Sequence, residues 1–75
     1  MTPETINKIK RLAEQRAQLG KQTDEAREIR RVIYALFVSD LTKDGKAISP
    51  RAGLVFFNDG VVIFLDPVNK TEIKL

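Results

Sequence analysis

Residues 53–66 read GLVFFNDGVVIFLD: an apolar run from Leu54 to Phe57, a turn signal, and a second apolar run from Val61 to Leu65. An Asp-Gly pair between two β-branched and aromatic runs predicts a β-hairpin, because glycine accepts the positive φ that a tight primed turn demands. With Asp59 and Gly60 as the turn residues, Phe57 faces Val62 and Val55 faces Phe64 on one side. Phe56 faces Ile63 and Leu54 faces Leu65 on the other. A strand with one wet face alternates apolar and polar residues, whereas both of these strands are apolar throughout, so both faces of the hairpin call for cover.

The rest of the chain supplies that cover. Thr2-Pro3-Glu4 is a helix start, with Thr2 as cap, Pro3 in the first turn and Glu4 at the positive end of the dipole. Ile6, Ile9, Ala13 and Ala17 share one side, flanked by Leu12 and Leu19, which predicts a helix over about residues 3–19. Gly20 then stands where a helix-ending C′ residue would sit, Lys21-Gln22-Thr23 offers a polar link, and Thr23 can cap a second helix opening on Asp24-Glu25. The competing pattern is one unbroken helix, since Leu12, Leu19, Ala26 and Ile33 recur every seven residues. Arg16, Thr23 and Arg30 occupy the intervening positions and make a poor seam, which favours the break.

The second helix carries Ala26, Ile29, Ile33, Leu36 and Phe37 on one face and ends near Leu41. Residues 31–41 also have strand character in Val32, Ile33, Tyr34, Phe37 and Val38, with Lys43 to Lys46 as a following turn. Lys46 to Ser49 reads as a short strand stopped by Pro50, and the alternation of Thr71 to Leu75 suits a final edge strand guarded by charges. The expected fold is therefore α+β in a single domain over residues 1–75. A helical hairpin or long helix (about 3–41) packs on a small antiparallel sheet (about 46–75) built on the hairpin.

At 75 residues the chain buries a limited core, and it has neither cysteine nor histidine to staple it with a disulfide or a zinc site. Self-association is the remaining staple. No apolar run approaches the roughly 20 residues that span a bilayer, and the N-terminal residues lack a signal-peptide core, so the expectation is a cytoplasmic protein with no membrane partner. The net charge of +3 is concentrated in residues 1–31, where Lys8, Lys10, Arg11, Arg16, Lys21, Arg27, Arg30 and Arg31 outnumber Glu4, Glu14, Asp24, Glu25 and Glu28.

Motifs for chemistry are few. Asp40 to Gly45 resembles the opening of a calcium loop, but Arg51 stands where the bidentate glutamate belongs. Gly20-Lys21 lacks the glycine and the hydroxyl of a phosphate loop. Without histidine or cysteine no familiar activated nucleophile can be built, and no enzyme, metal site or cofactor is expected. The most specific polar group is Arg27, Arg30, Arg31 and Tyr34, brought together by helical spacing. Two guanidinium groups beside an aromatic ring can hold a phosphate and stack a base. The same residues also make ordinary surface pairs, Asp24 with Arg27 and Glu28 with Arg31.

These readings lead to a non-enzymatic, homo-oligomeric interaction protein that binds and blocks a partner protein or sequesters a small anionic ligand through Arg27, Arg30, Arg31 and Tyr34. Leu54, Phe56, Phe57, Ile63, Phe64 and Leu65 are the candidate oligomer interface, since a hairpin apolar on both sides leaves a face for a second copy. The alternative is a nucleic-acid-binding regulator that uses the basic helical half.

Overall fold

The computed structural model describes residues 1–20 and 23–75. Two helices, α1 (Pro3–Ala17) and α2 (Asp24–Lys43), precede a three-stranded antiparallel sheet of β1 (Leu54–Asn58), β2 (Val61–Asp66) and β3 (Thr71–Lys74), ordered β1-β2-β3. The helical pair is the expected hairpin. The Thr2 amide at the start of α1 donates to Asp40 near the end of α2 at 3.1 Å, so the helices run antiparallel.

Both helices begin as their sequences direct. Thr2 accepts from the Thr5 amide at 3.2 Å and Thr23 from the Ala26 amide at 3.1 Å, each satisfying a donor that the helix itself leaves free. The ends are less obvious. Helix α1 stops at Ala17, two residues before the expected Leu19, where the chain tightens: Gln18 donates to the Gln15 carbonyl at 3.2 Å and Leu19 to that of Arg16 at 3.1 Å. Gly20 takes no positive φ, so it is not the left-handed cap its position suggests. Its carbonyl instead accepts from the Thr23 amide and hydroxyl. The Lys21-Gln22 part of the polar link lies outside the described residues.

Helix α2 runs through the whole segment whose β-branched and aromatic residues gave it strand character. Its apolar residues have helical period, and burying Ala26, Ile33, Phe37 and Leu41 on one stripe outweighs weak local preference. It stops at Gly45, which takes φ 83° while donating to the Thr42 carbonyl at 3.0 Å; Lys46 donates to that of Leu41, also at 3.0 Å. This is a Schellman ending that only glycine adopts without strain.

The hairpin has the expected register, Phe57 opposite Val62 and Val55 opposite Phe64. Its turn residues Asp59 and Gly60 both have positive φ, 50° and 81°, as a type I′ turn requires. The two helices cover one face only. Val55, Val62 and Phe64 are buried there with Ile9, Ile33, Phe37 and Leu41, and the Phe37 and Phe64 rings stack at 5.1 Å between centroids. The other face carries Leu54, Phe56 and Val61 at 44%, 42% and 37% exposure, beside half-buried Ile63 and Leu65.

That division corrects two expected interface residues. Phe64 is fully buried in the chain's own core, and Phe57 lies on the same inner side beneath the Arg16 guanidinium, 3.9 Å from its ring. Neither lies on the partly exposed outer face. The expected strand at Lys46–Ser49 does not form. The segment is irregular because its Ser49 amide is taken by the Asp66 carboxylate at 2.8 Å instead of by a ladder.

Candidate functional site

Helix α2 presents Arg27, Arg30 and Arg31 at helical spacing on its exposed flank, with Tyr34 one turn further on. The Tyr34 hydroxyl donates to the Pro50 carbonyl, and its ring lies 5.8 Å from that of Phe64. Gly53 makes this possible: a Cβ there would stand 2.8 Å from both the Tyr34 hydroxyl and its ring edge. Tyr34 therefore holds the loop before β1 against α2, and that loop delivers Arg51 to the same place. The result is a shallow cleft of about 360 Å³ between α2 and the start of β1, bordered by Arg27, Arg30, Arg31, Tyr34, Arg51 and the backbone leading into Val55.

Among the described residues no carboxylate lines this cleft. The helix pairs do form, but loosely: Asp24 to Arg27 and Glu28 to Arg31 are both 3.7 Å, beyond hydrogen-bond length, with largely exposed partners. Such pairs contribute little and leave both guanidinium groups able to turn toward another anion. Among the described residues, Arg30 and Arg51 pair with no carboxylate. Four planar donor groups around one hollow suit bidentate binding of phosphate or carboxylate.

Tyr34 plays a different part from the one its position on the helix suggests. Its hydroxyl is committed to Pro50 and its ring is flanked by Gly53 and Phe64, which makes it a strut for the cleft. Arg51 escapes the sequence reading as a site residue because twenty positions separate it from Arg31 and only the Tyr34 and Asp66 anchors bring it back. The one signal for it was its unsuitability as a calcium ligand.

Asp66 is the second residue whose importance is tertiary. Its side chain is fully buried, and its two oxygens accept from the backbone amides of Ser49, Val68 and Asn69 and from the Asn69 side chain at 2.8–3.3 Å. The Ser49 amide, followed by the Asn69 side chain, holds its carboxyl below the ordinary carboxylate value. One ionised group thus fixes both the turn into β3 and the loop that carries Arg51.

A wider hollow of about 560 Å³ separates the C-terminal half of α1 from the β1–β2 turn. Arg16 spans it above Phe57, with its Nε buried and without an acceptor. It mixes Lys10 and Arg16 with Glu14 and Asp59, and so has no single charge preference.

The fold and cleft define a small α+β protein with an arginine-lined groove beside a sheet edge. Comparison with protein families, with characterised proteins and with solved structures found no match to this chain. Among the described residues no helix is long and apolar enough to cross a membrane.

Proposed function

We propose that this is a non-enzymatic binding protein that assembles with a second copy through the outer sheet face and holds an anionic group, on a partner protein or as a small ligand, in the arginine cleft. The observation that carries the reading is that Arg27, Arg30, Arg31 and Arg51 line one hollow that, among the described residues, no carboxylate lines. Cations lining one hollow repel one another, and an anion that bridges them relieves the repulsion while accepting several charge-assisted hydrogen bonds. The partly exposed apolar face of Leu54, Phe56, Val61, Ile63 and Leu65 supports self-association, because a contiguous patch of this kind is costly in water and a two-fold copy covers it with itself.

Calorimetric titration with tripolyphosphate, polyglutamate and generic DNA and RNA at low salt tests the cleft. Tripolyphosphate or polyglutamate should bind the native protein and not the Arg27→Glu, Arg31→Glu double variant, whose circular dichroism should be unchanged. Equal binding by both proteins would remove the cleft from the function. DNA or RNA bound in preference, with affinity falling steeply as salt rises, would make the protein a nucleic-acid-binding regulator instead.

A further inference from the structure

The outer face of the sheet is ordered in rows. The register sets Leu54, Leu65 and Glu72 in one row across the three strands and Phe56, Ile63 and Lys74 in the next, on the side away from Val55, Phe64 and Ile73. Each row runs from apolar residues on β1 and β2 to one charge on β3, and the two charges are opposite and 3.4 Å apart. Asn58 and Val61 form a third row beside the hairpin turn. Beyond the first row, at the other end of the face, the turn between β2 and β3 exposes Val68 at 64%.

Two sheets that meet face to face with nearly aligned strands can be related by a two-fold axis along the strands or across them. An axis along the strands, centred on β2, lays β3 of one copy on β1 of the other. It presses the Glu72–Lys74 pair onto the partner's Leu54 and Phe56, where taking two charges out of water costs more than their attraction returns. An axis across the strands keeps β1 over β1 and β3 over β3 while reversing the rows. Set between the first two rows, it lays Leu54 over the partner's Phe56, Leu65 over the partner's Ile63 and Glu72 over the partner's Lys74, each pair occurring twice. Val61 then meets the partner's β2–β3 turn, which carries Val68.

We propose that two copies pack about the axis across the strands, and that the assembly holds one polyanionic chain along its two arginine clefts. This rests on the outer-face and cleft readings above and joins them. The axis leaves both β1 edges on the same side of a sandwich of two three-stranded sheets. Leu54 belongs to the outer face and also lines the cleft, so the two clefts open along that one edge. Stacked sheets lie about 10 Å apart, and each cleft lies on the helix side of its own sheet. The two arginine clusters therefore stand farther apart than the roughly 8 Å over which physiological salt screens charge. A chain long enough to reach both gains affinity, because its second contact forms within one complex.

Charge exchange tests the axis. Glu72→Lys makes both outer charges of β3 positive and Lys74→Glu makes both negative. Each variant should keep native circular dichroism and self-associate about tenfold or more weakly in sedimentation. Their equimolar mixture should recover dimers as tight as the native ones, since every charge then faces its opposite. Variants that assemble like the native protein, or a mixture no tighter than either variant alone, would overturn the axis. A native protein that stays monomeric at high concentration would overturn self-association with it. Polyglutamate of about five and about twenty residues tests the joined clefts. The longer chain should bind one per native dimer, and its advantage over the shorter should fall by about tenfold or more in Phe56→Asp. An equal advantage in both proteins would overturn the shared engagement while leaving an anion-binding cleft. Failure of both polymers to bind would overturn the cleft as well.

Discussion

The Asp66 carboxylate accepts a 2.8 Å hydrogen bond from the Ser49 amide, tying the end of β2 to the loop that carries Arg51. Because the folded carboxyl lies below its ordinary value of about 3.9, with the Ser49 amide the largest cause, the ionised form is the one the fold favours. The stabilisation is complete above the ordinary value and is lost as the pH falls from there through the folded value. Melting temperature should fall over that acid range. Asp66→Asn, which offers one acceptor oxygen where the carboxylate offers two, should melt several degrees lower at pH 7 and show a shallower acid decline. An unchanged acid profile would show that Asp66 is not the linked group.

Phe64 and Phe56 lie on opposite sides of the sheet and should respond oppositely to substitution. Phe64→Ala removes the ring stacked on Phe37 and should cost about 3–5 kcal/mol, a large part of the roughly 5–15 kcal/mol that holds a typical domain together. Phe64→Asp should not fold. Phe56→Asp, on the outer face, should keep native circular dichroism and convert a dimer to a monomer in sedimentation. A native protein that remains monomeric at high concentration would remove self-association.

Two glycines should differ in what their replacement by alanine affects. Gly60 has φ 81° and open space around it, so Gly60→Ala should cost about 1–2 kcal/mol through backbone strain and leave anion affinity intact. Gly53→Ala drives a methyl group into Tyr34 and Phe64, loosens the contact to Pro50 and displaces Arg51. It should lower both melting temperature and tripolyphosphate affinity. Full affinity in Gly53→Ala would show that the Tyr34 strut does not position the cleft.

The segment from Asp40 to Gly45 should not bind calcium. Asp40 accepts from the Thr2 amide, Asp44 pairs with the Met1 ammonium, and Arg51, in the twelfth place, belongs to the cleft. Millimolar calcium should leave the melting temperature unchanged; a rise of several degrees with a fixed stoichiometry would show otherwise.

Local chemistry determined most of the fold. The Asp59-Gly60 pair set the hairpin and its register, because the turn accepts only positive φ at both positions. Thr2 and Thr23 set the helix starts, because each supplies an acceptor where a helix leaves donors free. Helical spacing alone grouped Arg27, Arg30 and Arg31. Tertiary structure decided which face of the hairpin is inside: Phe56 and Phe57 are chemically alike, and only the position of α1 and α2 buries one side and leaves the other to water. It also decided the cleft. Arg51 borders the same cleft as Arg31 because Tyr34 holds Pro50, Gly53 leaves room for the ring, and Asp66 holds Ser49. No spacing encodes that arrangement, since each contact joins residues far apart in the chain and forms only once the sheet has packed on the helices.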